Sequence, residues 1–349
     1  MNIKNDKNIR IRDIQDGQQV DGVFLVKEMS RGETKAGKPY LGLMLMDTSG
    51  EMGARVWENA DQLMGACPAG AVVAVRGLAQ AYKGVVQLRV DALTRVAEAT
   101  VDMGRFIPST PGDIATMAKE LLRIAASVEQ LFLRQLLDGF FADQQLMAAL
   151  RKAPAAKGMH HAYLGGLLEH TLAVAQLADQ VCRLYPGLDR SLLLTGAILH
   201  DIGKLREFDF SSFPFDYTDQ GRLVGHMVLG ITMIQERVAA IAGFPPELAD
   251  RLSHLILSHH GRHEYGSPVL PMMGEAFVLN FLDDLDAKIN YLGRLAGQAR
   301  GEGYQWSEYQ RNLERFLFVR GHVAEPVAVE DGGVEGSMEN ARQRTLFDA

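Results

Sequence analysis

Cysteine is almost missing from this chain: Cys67 and Cys182 are the only two, and no CxxC pair occurs. A disulfide framework and a thiolate zinc site are both excluded by that count. No apolar run approaches the ~20 residues that a membrane-spanning helix requires. The opening Met1-Asn2-Ile3-Lys4-Asn5-Asp6-Lys7 is polar and lacks the apolar core of a signal peptide. A reducing cytoplasm and no membrane partner are therefore expected. Positive charge is also short, since 36 Lys and Arg face 43 Asp and Glu for a net charge of -7. Phosphate contacts normally come from Lys and Arg, so the chain as a whole is no cationic coat for nucleic acid. The deficit is uneven, with 13 basic and 12 acidic residues over 1–99 and 23 against 31 beyond.

What remains is a 349-residue chain, 47% hydrophobic and 23% charged, long enough for two or three globular domains. From about residue 18 to 97 the pattern is β. Val20 to Val26, Tyr40 to Met46, Ala54 to Trp57, Ala71 to Val75 and Val85 to Val90 are short strand-like runs separated by Gly-containing turns. Five such strands in under a hundred residues fit an oligonucleotide-binding (OB) type β-barrel. Alternation turns Ala54, Val56 and Leu88 inward and leaves Arg55, Trp57, Gln87 and Arg89 outward. With Tyr40, Tyr82 and the loop lysines Lys35, Lys38 and Lys83, these residues would make a stacking and phosphate-contacting face for single-stranded RNA or DNA. The bland alternative is that the aromatics cap the barrel and the lysines solvate its loops.

Gly104, Pro108, Pro111 and Gly112 mark a break. Beyond it Ile114, Met117, Leu121, Ile124, Val128 and Leu131 recur at helical spacing, and helices are expected to about residue 320. Residues 323–349 hold six acids, two arginines and several glycines, the composition of a disordered tail. The expected organisation is an OB-type domain over 1–99, a helical connector over 100–159, an all-α bundle over 160–322 and an acidic tail.

Nine of the ten histidines fall between residues 160 and 263: His160, His161, His170, His200, His226, His254, His259, His260 and His263. Packing does not explain that concentration. Neutral imidazole combined with carboxylate suits manganese, iron, nickel or zinc. The sharpest segment is Leu199-His200-Asp201-Ile202-Gly203-Lys204, which closes the apolar helix Ser191 to Leu199, with Gly203 as its stop. Asp201 can bridge two cations through its two oxygens, and Lys204 offers a point charge for a phosphate. Asp283 sits among Phe277, Val278, Leu279, Phe281 and Leu282, where an unpaired carboxylate is costly. Asp286 lies on another helix face and is expected to orient a ligand histidine.

The series His170, His200-Asp201, His226, His259-His260, Asp283 is similar to the binuclear HD-domain phosphohydrolases. The runs His160 to His170 and Leu257-Ser258-His259-His260-Gly261, with Asp283 to Lys288, more closely resemble the YhaM-type 3′–5′ exoribonucleases, which join an OB-fold to an HD domain. The resemblance covers nearly the whole chain before the tail. It implies one metal at His170, His200, Asp201 and Asp283, and a second at His226, His259 and His260, with Asp201 between them. Manganese is the expected ion, with iron, nickel, zinc or magnesium as alternatives. It further implies hydrolysis of RNA or single-stranded DNA to nucleoside monophosphates by a metal-bound hydroxide, with Lys204 on the scissile phosphate and His160 and His161 lining the entrance. In a mononuclear variant, His226 and the 259–260 pair would contact substrate instead.

The alternative function is an HD hydrolase of small nucleotides, such as cyclic dinucleotides, deoxynucleoside triphosphates or alarmones. The segment after the histidine pair, Gly261-Arg262-His263-Glu264-Tyr265-Gly266-Ser267-Pro268, lacks the Gly-Tyr-Pro of cyclic-dinucleotide enzymes. Gln343-Arg344-Thr345-Leu346-Phe347 resembles the short peptide by which bacterial proteins dock on the sliding clamp. Whether the chain forms an oligomer is left open by the sequence.

Overall fold

The computed structural model of the chain describes residues 9–321, apart from 35, 59, 83, 158–160, 212 and 300–302. Lys35, Lys83, His160 and the Gln343–Phe347 peptide therefore lie outside the described residues. The chain divides into two compact units between Tyr291 and Leu292.

The first unit opens with β1 (Gln19–Glu33), β2 (Pro39–Asp47) and β3 (Gly50–Val56), then α1 (Ala60–Ala66), β4 (Val72–Tyr82) and β5 (Val85–Arg95). These strands close into a barrel in the order β1-β2-β3-β5-β4. The expected five-stranded OB-type barrel is thus present. Closure depends on the length of β1. Its first half pairs with β4 (Gln19↔Leu78 to Leu25↔Val72), its second half pairs with β2, and the register shifts between Val26 and Glu28. Such an irregularity bends one strand so that it can serve two neighbours. Phe24, Val26, Leu41, Leu43, Leu45, Ala54, Val56, Val73, Val75 and Leu88 fill the interior.

The helical part follows as α2 (Ile114–Ala126), α3 (Leu131–Phe141), α4 (Gln144–Leu150), α5 (Gly166–Leu184), α6 (Arg190–Leu199) and α7 (Lys204–Glu207). A two-residue pair, β6 (Phe208–Asp209) with β7 (Asp216–Tyr217), precedes α8 (Asp219–Val224), α9 (His226–Val238), α10 (Pro246–Ser258) and α11 (Gly274–Gln298). Local chemistry sets the starts: Asp113, Asp143 and Asp189 each accept from a first-turn amide of α2, α4 and α6, the usual N-cap arrangement.

Residues 100–159 are not a mere link. Leu121, Ile124, Leu133, Leu136, Phe140 and Leu150 share one apolar core with Leu167, Val174, Leu193, Ile198, Leu252 and Leu279, so α2–α4 belong to the same bundle as the histidine-bearing helices. The compact unit that holds the bundle ends at Tyr291, within α11. The described part of the second unit contains β8 (Gly303–Trp306) paired with β9 (Phe318–Gly321).

Candidate metal centre

His170 comes from α5, His200 caps the end of α6, His226 starts α9, and His259 and His260 follow α10. Asp283 lies on α11. Four ligand atoms converge at one point. His170 Nε2 is 3.1 Å from His200 Nε2, 3.1 Å from Asp283 Oδ1 and 3.5 Å from Asp201 Oδ2. Ligands held 2.0–2.2 Å from a common ion stand about 3–3.5 Å apart, so the spacing fits a divalent cation. At a second point His226 Nε2 and His259 Nε2 lie 3.5 and 3.7 Å from Asp201 Oδ1. His226, His259 and His260 can bring one ligand atom each within 4.8 Å of one another.

The second point carries an independent sign that it suits a cation. Asp201 Oδ1, His226 Nε2 and His259 Nε2 are buried and have no hydrogen-bond partner. Each buried polar atom left unmatched costs about 1–3 kcal/mol. Three aimed at one spot are tolerable where a positive ion offsets them.

The other nitrogen of every ring is anchored. His170 Nδ1 meets Asp286 Oδ2 at 2.7 Å, and His226 Nδ1 meets Glu207 Oε1 at 3.1 Å. His200, His259 and His260 donate Nδ1–H to the carbonyls of Ala197, Ile256 and Tyr265 at 2.9, 2.6 and 2.7 Å. A carbonyl only accepts, so these three rings must present Nε2 as a lone pair. Outer hydrogen bonds of this kind orient metal-binding histidines. Of these anchors sequence reading named only Asp286; Glu207 and the carbonyls of Ala197, Ile256 and Tyr265 were missed, since such contacts arise only on folding.

Electrostatics agree with the geometry. Burial opposes the Asp201 carboxylate, but the charge of Lys204 beside it holds its pKa well below the usual range. Asp283 is likewise lowered despite burial, chiefly through its hydrogen bond with His170. Burial disfavours a charged His170, yet Asp283 and Asp286 outweigh it and raise the ring to about 9. Burial lowers both His259 and His260 and keeps them neutral.

Three expectations need correction. Gly203 is no helix stop, because its backbone is α-helical and it leads directly into α7. A Cβ there would stand 1.9 Å from His226 O and 2.5 Å from Gly230 N, so glycine is needed for the approach of α7 to α9. Lys204 does not stand open for a phosphate: it is buried, and Nζ donates to Asp201 Oδ2 at 2.6 Å. His161 does not line an entrance. It is 3% exposed, with Nε2 2.9 Å from Asp286 Oδ2 and Nδ1 2.9 Å from the Tyr163 hydroxyl. Asp286 thus joins His161 to His170, behind the ligand shell. His254 stands apart from this shell, accepting from Met272 N at 2.9 Å.

On the barrel, Arg55 pairs with Arg89 and Gln87 with Gln80 in register, so these side chains share the outer surface. Tyr40 and Trp57 lie 5.1 Å apart, and the Arg55 guanidinium is 5.6 Å from the Tyr40 ring centre. Tyr82 and Lys38 are exposed at the ends of β4 and of the β1–β2 turn. The structure therefore brings Tyr40, Arg55 and Trp57 into contact and puts Gln87 and Arg89 on the same surface.

The sequence signature of the HD domain matches residues 167–288. Among solved structures, the chain is similar to the second OB-fold domain of replication protein A from Methanococcus maripaludis, at 15% identity over 26% of this chain and 97% of that one, with a TM-score of 0.22. A crystal structure of a domain of replication protein A from the same organism matches at 16% identity over 27% and 100% of the two chains, with a TM-score of 0.24. A mitochondrial single-stranded DNA binding protein from S. cerevisiae matches at 16% identity over 24% and 97%, with a TM-score of 0.20. No helix among the described residues is long and apolar enough to cross a membrane. Residues 167–288 match the HD domain and follow a closed five-stranded β-barrel in the chain.

Proposed function

We propose that this protein is a metal-dependent 3′–5′ exonuclease of RNA, also able to act on single-stranded DNA, that releases nucleoside monophosphates. The observation that carries the hydrolase reading is the set of five histidines anchored through Nδ1, four of which, His170, His200, His226 and His259, turn Nε2 toward Asp201. His170, His200, Asp201 and Asp283 would hold one divalent cation, and His226, His259 and His260 another, with Asp201 shared. Cations so held supply positive charge for a phosphodiester and make water more acidic. Manganese is the ion we favour for this mixture of imidazole and carboxylate.

The chain's own residues do the rest. Lys204 neutralises one oxygen of Asp201 and leaves Oδ1 turned toward His226 and His259. Asp286 and Glu207 fix the rings of His170 and His226. The barrel face of Tyr40, Trp57, Arg55 and Arg89 would grip a strand, its aromatic rings stacking bases and its arginines meeting phosphates.

Digestion of 5′-labelled and 3′-labelled RNA and DNA oligonucleotides with Mn²⁺ tests the proposal. Stepwise shortening from the 3′ end, with monophosphate products and complete loss in His200→Ala, is the expected result. Hydrolysis confined to a cyclic dinucleotide, a deoxynucleoside triphosphate or an alarmone would replace it with the small-nucleotide reading.

A further inference from the structure

Beside the candidate metal centre lies a cavity of about 310 Å³, lined in part by His260, Arg262, Tyr265, Asn280, Phe281 and Lys288. This volume is near the lower limit of small-ligand sites, about 300–1,000 Å³, and suits one nucleoside better than a longer stretch of strand. The cavity and the centre share a wall. His260 lines the cavity and also groups with His226 and His259, while its Nδ1 donates to the carbonyl of Tyr265, another lining residue. Asn280, also on the wall, donates to the carbonyl of His259 at 2.7 Å.

The chemistry of the lining is specific. Tyr265 is 63% exposed and Phe281 65% exposed, a high cost in wetted aromatic surface unless something flat covers them. The Arg262 guanidinium lies 5.9 Å from the Tyr265 ring centre, and Lys288 pairs with Asp284 at the rim. Aromatic faces next to cations and an amide, one residue from a phosphodiester-cleaving centre, match a base with its sugar. Bases of every kind present a face to such rings, so recognition here is by stacking and not by sequence. Gly261, at φ +75°, makes the wall possible, since a Cβ would stand 2.4 Å from the Asn280 amide.

We infer that this cavity receives the 3′-terminal nucleoside of the strand, its base stacked against Phe281 and Tyr265, while the adjoining phosphodiester lies at the metal centre. The assignment rests on the strand-hydrolase reading above. It gives the cavity the job of measuring one nucleotide per cycle, and it makes the base of the last residue a determinant of rate.

The test compares kcat/KM of the full-length protein with Mn²⁺ on an RNA oligonucleotide and on the same oligonucleotide ending in an abasic 3′ residue. Stacking on an aromatic ring predicts that removing the base slows the wild type by about tenfold or more. In Phe281→Ala combined with Tyr265→Ala the ratio between the two substrates should fall to about one, because the two losses remove the same contact. Phe281→Tyr should restore it. Any general damage to the centre affects both substrates and leaves the ratio alone. An undiminished ratio in the double variant would overturn the assignment. If the wild type shortens no strand at all, the strand-hydrolase reading has failed. Equal calorimetric affinity for a nucleoside 5′-monophosphate and for ribose 5-phosphate would then overturn the cavity as a base site as well.

Discussion

Asp201 and Lys204 form a buried pair in which Oδ2 accepts from Nζ at 2.6 Å, while Oδ1 of the same carboxylate has no hydrogen-bond partner. Oδ2 is shared between Lys204 and the cluster of His170 and His200, and Oδ1 is turned wholly toward His226 and His259. Asp201→Ala would strand the Lys204 charge in the interior, a loss of about 3–5 kcal/mol. Asp201→Asn preserves shape and should lose less stability while still losing bound metal and all turnover. Thermal denaturation with elemental analysis of both variants separates the two effects. Full metal content in Asp201→Asn would remove Asp201 from the ligand set.

Asp286 meets His170 at Nδ1, the nitrogen opposite the converging ligand atoms, so its replacement tests orientation. Asp286→Ala frees His170 to rotate, and loss of such an outer partner weakens metal binding about 10- to 100-fold. His161→Gln should do less, because Asp286 keeps its bond to His170. Competition with a chelator gives the affinities, and equal binding by wild type and Asp286→Ala would refute the positioning role.

The raised pKa of His170 gives a signed pH dependence. In the metal-free protein the ring holds its proton up to about 9, whereas an unperturbed histidine loses it near 6.5. A cation must displace that proton, so affinity at this point should rise by up to tenfold per pH unit until about 9 and then level. Without metal the sign for stability is opposite: the contribution of the charged ring is complete below about 6.5 and disappears as pH rises through about 9. Calorimetric titration of Mn²⁺ in buffers of different ionisation enthalpy counts the released proton. His259 and His260 are already neutral through burial and release none.

Gly203→Ala should be among the most damaging small changes in the chain. Its Cβ would collide with backbone, His226 O at 1.9 Å, which cannot swing away. The expected result is displacement of α9, which carries His226, with a stability loss of about 1–3 kcal/mol as in other overpacked sites. Retained turnover and an unchanged melting temperature would show that α7 and α9 separate easily.

On the barrel, Tyr40→Ala and Trp57→Ala should weaken binding of a single-stranded oligonucleotide by about 5- to 100-fold each, the range for one stacked base. Arg55→Ala and Arg89→Ala should instead lower the salt dependence of binding by about one phosphate each. Titration at several salt concentrations distinguishes them. Unaltered binding in all four variants would return the face to an ordinary solvated surface.

The five strands were legible because alternation in a strand has a period of two, and burial of Ala54, Val56, Leu88 and Val90 follows it directly. The extent of β1 was not legible, since its polar second half is held only by pairing with β2. Residues 114–150 showed helical spacing, but nothing local said that they share a core with α5 and α6. Gly203 looked like punctuation and proved to be a point of contact between two helices.

By itself the sequence determined the ligand chemistry. The order His170, His200-Asp201, His226, His259-His260, Asp283 names imidazoles and carboxylates, donor types that suit a divalent cation. Tertiary structure alone decided how each one is used. Oxygens of one carboxylate are identical in a sequence, and only packing assigns one to Lys204 and turns the other toward His226 and His259. Two adjacent residues, His160 and His161, read alike, yet the fold buries His161 against Asp286. The physical reason is that residue type sets which bonds a group can make, whereas distance, burial and the neighbour on its far side set which bond it does make.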